Sequence, residues 1–270
     1  MLRIAVAGAA GRMGRNLIKV LSANSESYFC LSAAVHHANG SFAGRDAGEL
    51  VGIANLGLPI VADLADAEFD CLIDFTTVDA TLTNLAYCQA NNKMLIIGTT
   101  GFTRVQKQAI AAASADIPIV LAPNMSIAVN LCFQLLAQAA QVLGEQADVE
   151  IIETHHRDKL DSPSGTALRM GEVIAQTHGR ELEDCAVYRR KGIGEPRQTG
   201  AIGFASVRAG DVVGEHSVLF ATQGERLEIT HKASDRSIYA KGALRAAKWL
   251  AEQKPGLYDM QDVLAQKKHN

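Results

Sequence analysis

LRIAVAGAAGRMGRNLIKVLSA, residues 2–23, decides how the rest of the chain is read. A short apolar run stops in Gly8, and apolar residues then recur at helical spacing through RMGRNLIKVLSA (12–23). Strand, glycine turn and helix in that order open a βαβ unit. The glycines are Gly8, Gly11 and Gly14, with Ala10 in the middle glycine position of GxGxxG, so the motif alone is a weak signal. Its place in the first strand-to-helix turn strengthens it. Backbone N–H groups and the positive helix end there can receive a pyrophosphate, with Gly8 allowing the tight turn and Gly14 close helix packing. A purely structural turn is the alternative.

Working outward, further strands are expected at 29–35, 71–76, 94–100 and 117–123, and helices at 80–92, 103–115 and 127–143. Near-continuous apolar strands separated by helices imply a mostly parallel sheet covered on both faces. The pattern changes near residue 145. DVEIIETHH (148–156) alternates less regularly, 164–179 reads as a helix ending near a glycine, and 199–233 holds several β-rich runs broken by Gly-Asp and Gly-Glu turns. An antiparallel or mixed sheet with one wet face is expected there. Residues 237–253 form a last amphipathic helix, which periodicity assigns to neither half, and a short polar tail follows. The fold class is α/β: a Rossmann-type dinucleotide-binding domain over 1–126 and a mixed α/β domain over 127–236, joined near 122–130 without a low-complexity linker.

A chain of 270 residues, 48% hydrophobic and carrying a formal charge of −3, suits a folded protein with a sizeable core. Its basic residues do not cluster, so nucleic acid is a poor partner. The N-terminal apolar run meets glycines and Arg12 without a cleavage signature or a membrane-length span, and a cytoplasmic protein is expected. Cys30, Cys71, Cys88, Cys132 and Cys185 are scattered and lack a CxxC, which fits mostly buried, reduced thiols.

An NAD-preferring site should carry an acid after its second strand to bond the ribose hydroxyls. Here that strand ends in His36 and His37, followed by Ala38 and Asn39, so NADPH should be tolerated at least as readily as NADH. Solvated loop histidines are the bland alternative. Ligands lie outside the carboxyl ends of such strands, which also points to GTTGF (98–102) and APNMS (122–126). Either could instead be a turn, with a threonine, Asn124 or Ser126 capping the next helix.

THHRDKLDSPSGTA (154–167) is the second focus. Adjacent His155 and His156 lack HExxH spacing and a cysteine pair, and oxygen from Asp158 or Asp161 does not rescue a metal reading. A solvated charged loop is the other bland account. Ser162, Pro163 and Ser164 look like a helix start, with a serine cap and Pro163 early in the first turn. The N–H groups of Gly165 and Thr166, with the threonine hydroxyl, then make a cradle for a carboxylate beside an imidazole and an ammonium. Hydride transfer suits this set, since charge that builds on the reduced π system must be met by a proton or a cation. His155 can supply a proton near neutral pH and Lys159 can stabilise or donate to a developing anion. Closure between the two expected domains would exclude water.

With these residues in view, the chain resembles the 4-hydroxy-tetrahydrodipicolinate (dihydrodipicolinate) reductase family of diaminopimelate and lysine biosynthesis. The resemblance spans nearly all residues: VAGAAGRMGR, IDFT (73–76), IGTTGF (97–102), EIIETHHRDKLDSPSGTA (150–167), VRAGDVVGEH (207–216) and ITHKASDR (229–236). It implies NAD(P)H-dependent reduction of the ring formed from (2S,4S)-4-hydroxy-2,3,4,5-tetrahydrodipicolinate, a small dicarboxylate. His155 would be the catalytic proton donor or acceptor and Lys159 the second donor, with His156, Gly165 and Thr166 on the substrate. Cofactor contacts would map onto Gly8, Ala9, Ala10, Gly11, Arg12, Met13, His36, His37, Gly98, Thr99, Thr100, Ala122, Pro123, Asn124 and Met125. A homotetramer built on the second domain's sheet is implied, as is a return of residues 237–270 to the nucleotide domain. Some relatives carry Glu-Arg where this chain has His36-His37, and others an arginine where it has Thr77, departures that bear on coenzyme preference. Two rivals stand beside this reading. Another two-domain nicotinamide dehydrogenase would need an activated thiol or a differently placed histidine–carboxylate pair, and a non-catalytic nucleotide sensor would need no proton donor at an anion cradle.

Overall fold

The computed structural model describes residues 1–23, 28–37 and 42–265. The chain divides into two compact units, Met1–Ile127 with Arg236–Asn270, and Ala128–Asp235.

The first unit opens with β1 (Leu2–Ala7), α1 (Arg12–Ala23) and β2 (Phe29–Val35), followed by the short α2 (Ala47–Val51) and β3 (Ile60–Val61). It continues through β4 (Cys71–Asp74), α3 (Val78–Ala90), β5 (Met94–Ile97), α4 (Arg104–Ala113) and β6 (Pro118–Leu121). Every strand pair is parallel. Alternate residues of the central strands bury to opposite faces. Ile4, Val6, Ile73 and Ile96 join one core, while Ala5, Leu72, Leu95 and Ile97 join the other with Leu85, Cys88 and Ile110 of α3 and α4. Each valine, leucine or isoleucine among them contributes roughly 1.5–3 kcal/mol on leaving water.

The second unit holds α5 (Ile127–Leu143, from its second residue), β7 (Asp148–His155), α6 (Gly165–Thr177), β8 (Ala186–Val187), β9 (Ile202–Arg208), β10 (Gly214–Thr222) and β11 (Glu225–Ala233). Its sheet runs β11-β10-β7-β9-β8, antiparallel across the first three strands and parallel across the last three. The face packed on α5 and α6 carries Val149, Ile151, Phe204, Val218 and Phe220, and the opposite face leaves Ile152 38% and Val207 43% exposed. Burial along β7 alternates strictly, contrary to the irregular reading of its sequence, because Glu153 occupies an inward position and Ile152 an outward one.

The chain returns to the first unit as α7 (Ser237–Leu250), which packs on α1, β5 and β6. Gly242 makes this possible: a Cβ there would sit 1.7 Å from the Met125 carbonyl oxygen. The expected polar tail is instead β12 (Gly256–Tyr258) and α8 (Met260–Leu264) before the last residues. β12 pairs parallel with β6, completing a seven-stranded sheet of order β12-β6-β5-β4-β1-β2-β3. Among the described residues no helix is long and apolar enough to cross a membrane. Four cysteines are buried and Cys30 is half-buried, all as free thiols.

Candidate active site

In the first unit the parallel strands present their carboxyl ends at one edge, and the direction of winding reverses between β1 and β4. That reversal is where an open α/β sheet leaves a crevice. Gly8 turns the chain there with φ +65°, and a Cβ on it would meet Thr76 Cγ2 at 2.8 Å. Gly11 N–H donates to Gly8 O at 2.8 Å, and Ala9 N–H to Val35 O at 2.9 Å. Gly14 lies against the turn so closely that a Cβ would stand 2.2 Å from Gly8 O. Gly8, Ala9, Ala10 and Gly11 thus form a tight bend running into Arg12 and Met13, whose first-turn N–H groups have no partner within the helix. This bend, with glycines where a Cβ would collide, fits a dinucleotide pyrophosphate.

Around it stand the other expected cofactor residues. His36 and His37 follow β2 with ring centroids 4.4 Å apart, and Phe42 is flanked by the guanidinium groups of Arg15 and Arg45, each 5.9 Å from its ring centre. Burial, with the charges of His37 and Arg15, pushes the His36 imidazole below the usual histidine range. Asp46, the next acid along the chain, is committed elsewhere, accepting from the amides of Gly48, Glu49, Leu56 and Leu58. Ala38 and Asn39 lie outside the described residues.

After β5, Gly98 packs on the Phe75 ring, where a Cβ would be 2.1 Å from a ring carbon. Thr99 Oγ1 accepts from Thr81 Oγ1 at 2.9 Å, and Thr100 is exposed. The capping threonine of this segment is Thr103, which closes a capping box with Gln106 at the start of α4. After β6, Ala122 and Met125 place their side chains in the core, so only their backbones can face a ligand, while Pro123 is exposed and Asn124 Oδ1 accepts from Ser126 N–H at 2.8 Å. Thr77 caps α3 by accepting from Ala80 N–H, which gives this position a structural use.

The second unit gathers the histidine stretch around a residue the sequence reading passed over. Glu153, 1% exposed, accepts from His155 Nδ1 at 2.5 Å. Arg208 at the end of β9 grips both its oxygens at 2.8 Å, and the Ser164 N–H reaches Oε1 at 3.3 Å. Burial pushes the Glu153 carboxyl up, but hydrogen bonds from Arg208, Ser206 and His155 outweigh it and hold the group down at about 2. Burial lowers His155 and outweighs the neighbouring Glu153, helped by the charges of Lys159 and Arg208, so the imidazole stays below the ordinary histidine range.

His155 ends β7, and its Nε2 lies where a Cβ on Gly214 would come within 3.0 Å. His156 is half-buried beside it. Lys159 folds back so that its ammonium meets both oxygens of Asp161 at 2.8 Å, and Arg208 pins the same loop through the Asp161 carbonyl at 2.7 Å. Ser164 is the N-cap of α6: its Oγ accepts from Ala167 N–H and meets His216 Nε2 at 2.9 Å. Gly165 and Thr166 are therefore the first two helical residues. Pro163 stands before the cap rather than in the first turn, because the cap is the second serine of the pair. His216 is almost wholly enclosed, its Nδ1 without a partner among the described residues, and burial holds it down to about 4. Its ring lies edge-on to His155, with centroids 5.1 Å apart. Arg208, Gly214 and His216 all come from VRAGDVVGEH, whose sequence offered no role for them. Glu153 left no trace in the sequence pattern, because an acid stands at an inward position of β7.

Two family models match this chain: dihydrodipicolinate reductase, N-terminus, over residues 2–125, and dihydrodipicolinate reductase, C-terminus, over residues 128–264. A dipicolinate-bound dihydrodipicolinate reductase from Paenisporosarcina sp. TG-14 superimposes with a TM-score of 0.77 at 25% identity, covering 98% of this chain and 100% of that one. The fold is shared more distantly by a probable dehydrogenase from Thermotoga maritima (TM-score 0.58, 12% identity, 97% and 92% covered). It is also shared by scyllo-inositol dehydrogenase from Lactobacillus casei (TM-score 0.57, 11% identity, 98% and 92% covered).

Proposed function

The chain belongs to the dihydrodipicolinate reductase family, and from that footing we propose how its residues divide the work of an NAD(P)H-dependent reduction in lysine biosynthesis. The overall change takes 4-hydroxy-tetrahydrodipicolinate, NAD(P)H and a proton to tetrahydrodipicolinate, NAD(P)+ and water. A bound nicotinamide would supply the hydride. Gly8 to Met13 would hold the pyrophosphate, and the ends of β2, β5 and β6 would hold the remainder of the coenzyme.

On the second unit, the N–H groups of Gly165 and Thr166 at the start of α6 receive one substrate carboxylate, and His156 contacts the ring. His155 is neutral in the free protein with its Nδ1 proton directed at Glu153. A bound dicarboxylate raises its affinity for a proton, which Nε2 then delivers as negative charge builds on the reduced ring. Lys159 exchanges Asp161 for the developing anion, offsetting its charge, and stands as the second proton source beside His155, the reduction consuming one proton in all. The observation that carries this assignment is the linkage of the His155 ring and the first turn of α6 through shared contacts.

The coenzyme edge supports use of NADPH at least as readily as NADH. His36, His37, Arg15 and Arg45 present positive or neutral groups, and the nearest acid in sequence, Asp46, is occupied by amides. The exposed sheet face bearing Ile152 and Val207 supports assembly into a homotetramer, for which light scattering after size-exclusion chromatography is the check. A cytoplasmic location fits a biosynthetic reductase. The test of function is loss of absorbance near 340 nm in an assay started from pyruvate and aspartate semialdehyde with the synthase that makes the substrate, run with each coenzyme. No loss above the synthase-only control sinks the activity, and a tenfold or larger preference for NADH sinks the coenzyme reading. His155→Ala should slow turnover by roughly 10²–10⁴-fold, and an effect below tenfold would remove His155 from proton transfer.

A further inference from the structure

A buried ion pair is weak support for stability, since desolvation consumes most of what the charges gain. The use of the Glu153–Arg208 pair is therefore to be sought in what it holds. Arg208 engages both oxygens of Glu153, Oε2 also takes the His155 Nδ1 and Oε1 the Ser164 backbone N–H, and the Ser206 side chain is a further partner of the carboxylate. One side of this fork leads to the proton-transfer ring, and the other to the cap of the helix whose first N–H groups form the anion cradle.

We propose that Glu153, clamped by Arg208, is a positioning residue for the reduction, fixing the His155 ring with its Nδ1 proton inward and Nε2 free for exchange while setting the start of α6 against it. The proposal rests on the reading of His155 as the proton-transfer group. A histidine ring held by one carboxylate presents a single tautomer and a single orientation, which is what a proton relay requires. Arg208 keeps that carboxylate ionised and cannot itself give up its proton. Gly214, by lacking a Cβ, leaves Nε2 its room.

The groups facing the imidazole are Glu153 on its own strand, Lys159 on the following loop, Arg208 at the end of β9 and His216 on β10, with Asp161 paired to Lys159. Glu153 favours the imidazolium, whereas Lys159 and Arg208 oppose it. Removing the carboxylate charge therefore moves the His155 limb of the pH–rate profile to lower pH.

The test compares Glu153→Gln, His155→Ala and the double variant in the full-length enzyme, reading kcat, KM for the ring substrate and the pH profile. Glu153→Gln should lower kcat roughly tenfold or more, raise KM and shift the limb to lower pH. In the His155→Ala background the same change should alter kcat by less than about twofold, the signature of a residue acting through another. Equal losses in both backgrounds, or an unmoved profile, overturn the positioning role. Should Glu153→Gln fail to fold, Glu153→Asp decides. Its charge is kept but its arm is shorter, so the limb should hold its place while KM rises, and a limb displaced to lower pH overturns the proposal. His155→Ala slowed less than tenfold overturns both this inference and the reading beneath it, whereas a slow His155→Ala with an unmoved Glu153→Gln profile overturns this inference alone.

Discussion

Acidification should unfold this protein partly through one enclosed histidine. His216 is 4% exposed, meets Ser164 Oγ through Nε2 and is held down to about 4 by burial, with the charge of His155 adding to the effect. In the unfolded chain the same side chain takes up its proton near pH 6.5. Because the folded state resists protonation, its stabilisation is complete above that pH, falls as the pH drops toward 4 and is flat below. Each pH unit across this window costs about 1.4 kcal/mol, so lowering the pH from 7.5 to 4.5 removes about 2.5 kcal/mol of stability through His216. Glu153 is also depressed, but its contribution is present above about 4.5 and is lost only as the pH falls toward 2, outside the window. The assay is urea unfolding followed by far-ultraviolet circular dichroism, comparing the wild type with His216→Gln, whose side-chain amide can still reach Ser164. His216→Gln should start less stable at pH 7.5 and lose about 2.5 kcal/mol less on the way to 4.5. Equal losses in the two proteins, to within about 0.5 kcal/mol, would refute the claim that burial of a neutral His216 sets this pH dependence.

Three further outcomes are expected. Lys159→Ala should cut kcat by roughly 10²-fold or more while NADPH affinity stays within about threefold, because the glycine turn lies in the other unit; coenzyme titration followed by fluorescence checks this, and comparable losses of rate and binding contradict it. Gly14→Ala should weaken NADPH binding tenfold or more, since the new Cβ would lie 2.2 Å from Gly8 O and 2.8 Å from Ala9 Cα, both unyielding backbone atoms; unaltered affinity in the same titration would show that the turn does not hold the coenzyme. Ellman's reagent should react promptly with Cys30 at most, because Cys71 and Cys88 are fully buried, with burial pushing Cys88 up to about 12 and Cys71 higher still; two or more fast thiols would contradict the packing.

Most of the first unit was legible because its main strands are near-continuous apolar runs and its main helices are long. FCLSAAV and RMGRNLIKVLSA begin and end where the chain spacing places them, and in the second unit the 17-residue α5 does likewise. β3 and β12, of two and three residues, are too short to show any period, and α2 and α8, of five each, make little more than a turn. They exist because neighbouring strands and capping aspartates, Asp46 and Asp259, recruit them. β7 misled for a different reason: tertiary pairing with Arg208 and His155 pulled an acid inward and turned Ile152 outward, reversing the polarity that sequence patterns assume. The same reversal hid Glu153. The two histidines and the lysine were visible from their chemistry, but Arg208 and His216 become partners only when β9 and β10 flank β7, a relation no local window contains.

The first unit is discontinuous in the chain, and this fixes an order of events at the ribosome. When synthesis has reached residue 235, every residue of the second unit has been made, whereas the first still lacks α7 over its sheet and β12 at its edge. Nascent β6 then stands as an unpaired border until β12, ending at Tyr258, has followed, a wait on the order of a few seconds at ordinary elongation rates. During that interval the chain depends on holding an apolar surface out of reach of its neighbours. A premature stop near residue 235 would leave the later-starting half complete and strand the half that was begun first.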